Sequence, residues 1–145
     1  MRRRDHQRAR VYAWEDTHVA PADPGRLPFA QASGMVRAIW TERGLRYPPR
    51  VEPLPASSRC LGDATRLAIR LGDPFPSWCL LHELAHSLTC THDGDSDGHG
   101  TRFMGIYMRL LDAYLRLDLN VLAASASAAG IRFDLDATPI FADPA

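Results

Sequence analysis

The stretch LLHELAHSLT, residues 80–89, sets an HExxH element inside an apolar run of helical character. Leu80, Leu81, Leu84, Ala85 and Leu88 supply the apolar positions, and His82 and His86 stand four residues apart. On an α-helix this spacing projects both imidazoles from one face, about 6 Å apart along the axis, which suits a shared metal ion. Glu83 directly follows the first histidine. Zinc hydrolases need imidazoles to hold the ion, an open position for water, and a carboxylate beside that water to take its proton. His82 and His86 are therefore candidate zinc ligands and Glu83 the candidate catalytic base.

Independent draws from this composition produce the pattern roughly 0.7% of the time, so context has to carry part of the weight. A buried helix carrying two histidines and a glutamate loses desolvation energy unless a partner compensates. Four of the six histidines, moreover, lie between residues 82 and 99. Two of them compete for the third ligand position. His99 opens His-Gly-Thr-Arg-Phe, where Gly100 lets the backbone come close and Phe103 can anchor a helix on the core. His92 has the spacing of the longer HExxHxxGxxH form, but Thr89 replaces the glycine of its turn. His99 is favoured. Cys90 and Asp93 are outside candidates, and the run Asp93, Asp95, Asp97, Gly98 opens like a calcium loop but has Met104 where a bidentate glutamate is required.

Upstream, Pro74 and Pro76 hold the chain extended, and Ser77 is the expected cap of a helix from about Trp78 to Thr89. Arg66 to Leu71 alternates apolar with polar or small residues and is the clearest strand, ended by Gly72-Asp73-Pro74. Val51 and Leu54 suit a short strand interrupted by Pro53 and Pro55. A helix is expected over Phe29 to Arg43, with Gly44 as its stop, and residues 21–28 read as a loop. Val11 to Trp14 suits either a strand or the end of a helix. Downstream, Phe103, Ile106, Tyr107, Leu110, Leu111 and Tyr114 share one face of a helix that starts near Thr101. Another helix runs from about Asp118 to Ala129 and stops at Gly130, and the tail from Ile131 has room for a short strand before Pro139.

With 145 residues and 46% hydrophobic content, residues 1–145 form a single domain with a real core. Charge is balanced at 17 basic and 17 acidic residues, so any nucleic-acid contact rests on residues 1–10, a basic arm with five arginines and one acid. A solvated arm is the preferred reading of that segment. Three cysteines, Cys60, Cys79 and Cys90, with no C-x-x-C spacing, no apolar leader and no membrane-length apolar run, point to reduced thiols and a soluble cytoplasmic protein.

LLHELAHSLT followed after a polar loop by HGTRFMGIYMRLL resembles the HExxH plus HGxxF arrangement of SprT-like and related small gluzincin-type metalloproteases. With the start RDHQRARVYAWE, the chain also resembles a family of small actinobacterial metallohydrolases. The resemblance implies a compact α+β zincin-like domain, a minimal gluzincin. Its short antiparallel or mixed sheet would pack on an N-terminal helix and the HExxH helix, with further helices after them. It also implies zinc held by His82, His86 and His99, with Glu83 as catalytic acid and base. The expected function is a zinc-dependent metallohydrolase, a peptidase acting on a peptide or protein. By the same analogy the strand Arg66 to Leu71 would be a sheet edge that receives substrate, and Tyr107 or Arg102 would stabilise the oxyanion.

Two other functions compete. In one the metal is structural, with Cys90, His92 or Asp93 as a fourth ligand and a partner-binding role for the domain. In the other the chain is a DNA-associated protease, although three scattered cysteines cannot build the four-cysteine zinc ribbon that such proteins usually carry.

Overall fold

The computed structural model describes residues 5–55 and 61–140, so Cys60 and Arg2 to Arg4 lie outside the described residues. The chain is α+β, with five α-helices and two small sheets among the described residues. The N-terminal segment is helical rather than extended. Helix α1, Arg8–Trp14, runs on through a π-helical turn, Glu15–Val19, and a 3₁₀ turn, Ala20–Ala22. Val11, Trp14, Glu15 and Val19 are buried, and that spacing puts an acid on an otherwise apolar face.

A short strand β1, Arg26–Leu27, and a 3₁₀ turn at Phe29–Gln31 precede α2, Ala32–Glu42, so the helix expected from Phe29 starts three residues later. Gly44 ends it with a left-handed φ of 77°. Strands β2, Arg50–Pro53, β3, Gly62–Ala64, and β4, Ala68–Leu71, form a mixed sheet of order β2-β4-β3. β4 pairs parallel with β2, in register Val51 with Ile69, and antiparallel with β3, in register Asp63 with Arg70. The best strand of the sequence is thus the sheet's centre. This corrects the expectation of a substrate edge at Arg66 to Leu71, since both sides of β4 are already hydrogen-bonded. Among the described residues the strand edge beside the motif helix belongs to β3.

β5, Phe75–Pro76, pairs with β1 and leads straight into α3, Ser77–Leu88, which carries the HExxH element. Ser77 is the first helical residue and not the cap. Asp23 does the capping from the preceding loop: its Oδ2 accepts from Ser77 Oγ at 2.7 Å and from Trp78 N at 3.1 Å. Ten of the twelve residues of α3 are buried, among them His82, Glu83 and Ser87, because the helix packs between the sheet, α2 and α4.

α4, Thr101–Leu115, buries Phe103, Ile106, Tyr107, Leu110 and Leu111 as its periodicity requires. Its first turn is satisfied by Asp97, whose Oδ2 accepts from the amides of Arg102 and Phe103. α5, Leu119–Ala128, is capped by Asp118, which accepts from Val121 N at 3.1 Å. The tail after Gly130 forms no strand within the described residues. It packs instead against Gly105, where a Cβ would stand 1.7 Å from the carbonyl oxygen of Asp134, so only glycine fits there. No helix among the described residues is long and apolar enough to cross a membrane.

Candidate metal centre

α3 delivers His82 and His86 from one face, and His99 arrives two residues before the first turn of α4. Their three Nε2 atoms form a nearly equilateral triangle with sides of 3.1 Å (82 to 86), 3.2 Å (86 to 99) and 3.3 Å (82 to 99). Nitrogens held about 2.0–2.1 Å from a tetrahedral ion stand about 3.3–3.4 Å from one another, so the triangle has the size of one face of such a site. His82 and His99 are each 5% exposed, and the ring of Phe103 stacks on His86 at 4.3 Å.

The other ring nitrogens explain what the triangle could hold. Nδ1 of His82 lies 2.5 Å from Glu15 Oε2, which also accepts from Tyr107 Oη at 2.6 Å. Nδ1 of His99 lies 2.7 Å from Asp5 Oδ2. An ionised carboxylate only accepts, so with Glu15 and Asp5 ionised each Nδ1 carries the hydrogen and each opposite Nε2 presents a lone pair to the centre. Lone pairs aimed at one point a few ångströms apart repel unless a cation sits between them. Burial, then the neighbouring His99, lowers the His82 pKa to about 3, and burial followed by the two other rings holds His86 well below the ordinary value. Both rings are thus kept in the neutral form that binds metal.

Asp5 and Glu15 come from a segment whose basic charge points to no ligand partners. Glu15 did leave one signal, an acid at a core-facing position of a helical pattern. Asp5 left none. Gln7 completes the attachment: it is buried, its Nε2 donates to the His99 carbonyl at 2.9 Å, and its Oε1 accepts from Arg132 N at 2.7 Å. The segment expected to be a solvated arm is therefore, from Asp5 onward, folded against the histidine triangle.

Glu83 is 5% exposed, and burial raises its carboxyl well above the usual range, helped by the charges of Glu15 and Asp63. Among the described residues nothing donates to it, so its oxygens stay available. It lines a cleft of about 350 Å³ together with His82, Tyr12, Arg8, Gly62 and Trp78. β3 closes in on it so tightly that a Cβ at Gly62 would lie 2.9 Å from Glu83 Oε2.

The remaining candidates stand elsewhere. Among the described residues the cluster of possible ligands holds His82, His86 and His99 alone. His92 and Asp93 are exposed on the loop, and Cys90 Sγ donates to the Thr91 carbonyl at 3.2 Å. Tyr107 is fully buried and its hydroxyl is engaged by Glu15. Arg102 donates to the Thr138 carbonyl and lines a different cleft. Neither faces the Glu83 cleft. Comparison of the chain with family models, curated proteins and solved structures gave no match.

Proposed function

We propose that this chain is a zinc-dependent hydrolase of compact zincin-like fold that cleaves peptide bonds. The observation that carries the reading is the convergence of the Nε2 atoms of His82, His86 and His99 at tetrahedral spacing, two of them oriented as lone-pair donors by the carboxylates of Glu15 and Asp5. Zinc suits a set of neutral imidazoles, and three protein ligands leave the fourth position open as catalytic sites require.

A zinc ion held there supplies a Lewis acid that polarises a carbonyl and lowers the pKa of water to about 7. Glu83, next to the ligand His82 and bonded to no donor among the described residues, takes the proton of the attacking water. Its raised pKa makes the carboxyl a willing proton acceptor, and the proton passes on to the leaving amine. Among the described residues no strand pairs with the outer edge of β3, beside Glu83, which favours an extended peptide over a compact substrate.

The test combines zinc content with cleavage of a peptide library read by mass spectrometry. Purified chain should bind one zinc and cleave, a chelator should stop cleavage, and Glu83→Gln should keep the zinc while abolishing turnover. Turnover that survives either zinc removal or Glu83→Gln overturns the reading.

A further inference from the structure

A hydrolase of this kind needs a hydrogen-bond donor where the carbonyl oxygen becomes an oxyanion, and that donor must face the Glu83 cleft. The polar side chains of the cleft wall are Arg8, Tyr12, Glu15, Asp16, His82 and Glu83, with the indole of Trp78 and the thiol of Cys79 beside them. Glu15, Asp16 and Glu83 are acids, and His82 is a candidate ligand. Trp78 and Cys79 are buried, at 8% and 2% exposure. Arg8 and Tyr12 are left, four residues apart on α1 and both exposed.

Tyr12 has the placement the task needs. Its ring lies edge-on to His99 at 5.1 Å and stacks near His82 at 6.2 Å, so it borders the metal centre while 41% of its surface stays open. Among the described residues its hydroxyl is bonded to nothing. The contrast with Tyr107 is informative, since that phenol is wholly buried and committed to Glu15. Arg8 lies over the Tyr12 ring, 5.6 Å from its centre, and a cation on a phenol ring strengthens its O–H as a donor.

We propose, building on the hydrolase reading above, that Tyr12 is the catalytic residue that donates its O–H to the oxyanion of the tetrahedral intermediate. The O–H bond stays intact throughout. The hydroxyl shares its hydrogen with the developing negative oxygen and is released when the carbonyl re-forms, so no proton has to be returned.

The experiment uses the full chain loaded with cobalt or zinc, comparing wild type with Tyr12→Phe. The cobalt absorption spectrum should be the same in both, which establishes an intact site. Imidazole, a neutral occupant of the open position, should bind both equally. A dipeptide phosphonate, whose tetrahedral anionic oxygens imitate the intermediate, should bind Tyr12→Phe about 10-fold more weakly. Cleavage of the best library peptide should lose about 10²-fold in kcat with KM within twofold. Equal phosphonate affinity and equal kcat in the two proteins overturn the assignment of Tyr12 while zinc-dependent cleavage by wild type keeps the hydrolase reading intact. A wild-type protein that cleaves nothing with zinc bound overturns both.

Discussion

Glu15 Oε2 lies 2.5 Å from Nδ1 of His82, across 67 residues of sequence, and this contact ties the N-terminal helix to the motif helix. The π-helical turn that begins at Glu15 widens the helix there and brings the acid to the buried face, a distortion that concentrates at functional sites. Tyr107 from α4 donates to the same oxygen, so three helices meet at one carboxylate. The carboxylate orients the ring and raises the basicity of the nitrogen that faces the metal centre.

Glu15→Gln tests that role in two ways. Zinc affinity, measured by chelator competition, should fall about 10- to 100-fold, the usual effect of removing such a partner. Stability of the metal-free protein should also lose a pH slope. Burial raises the Glu15 pKa from 4.5 to about 7 against the lowering hydrogen bond from Tyr107. Because the folded value lies above the unfolded one, the folded state holds the extra proton between the two. Its contribution is complete below about pH 4.5 and disappears as pH rises through about 7. Urea unfolding of the metal-free proteins between pH 5 and 7 should therefore show wild type losing stability, relative to Glu15→Gln, by about 1 kcal/mol per pH unit. His82 contributes the opposite trend below pH 6.5, and since it touches Glu15 the comparison reads the pair as one unit.

The division between what the sequence reveals and what it hides follows contact range. His82, Glu83 and His86 fall within one helical turn, so their spacing alone carries the geometry, and His99 is readable because its glycine and Phe103 anchor are local. The α4 and α5 helices were legible from periodicity and the Asp118 and Gly130 boundaries. Asp5 and Glu15 meet their histidines across 94 and 67 residues, a separation at which no local pattern operates. The position of β4 was hidden for the same reason. Alternation marks a strand with one buried face but is silent on whether β2 and β3 flank it. The cap of α3 is hidden from local sequence because Asp23, which takes the role expected of Ser77, lies 54 residues away.

His99 and His92 separate cleanly. His99→Ala removes one corner of the Nε2 triangle and leaves Asp5 without its partner, so zinc content by mass spectrometry should fall from about one per chain to a small fraction. His92 is exposed on the loop, and His92→Ala should retain full zinc and full activity. The reverse pattern would transfer the third ligand to His92.

Cys90 tests the structural-metal alternative. Burial raises its thiol above the ordinary value of 9, and the sulfur is turned to the Thr91 carbonyl. Iodoacetamide labelling followed by peptide mapping should give slow modification at pH 7.5 that accelerates only above pH 9. The rate should be the same with and without zinc. A zinc-dependent fall in Cys90 labelling would make it a fourth ligand and close the site to substrate.

Gly62→Ala probes how tightly β3 holds the Glu83 carboxyl. The new methyl carbon would sit 2.9 Å from Glu83 Oε2 and 3.0 Å from both Glu83 Cγ and the Arg70 carbonyl oxygen. The side chain can swing away, but the carbonyl belongs to the paired centre of the sheet and cannot, so the strain falls partly on the backbone and should cost about 1–3 kcal/mol of stability. Because His82, His86 and His99 are untouched, the variant should bind zinc as wild type does. Turnover should nevertheless drop at least about 10-fold, since a base displaced by an ångström no longer reaches the water it must deprotonate. Zinc content measured beside kcat on the same preparation separates the two effects, and a variant with wild-type kcat would show that Glu83 does not depend on its place against β3.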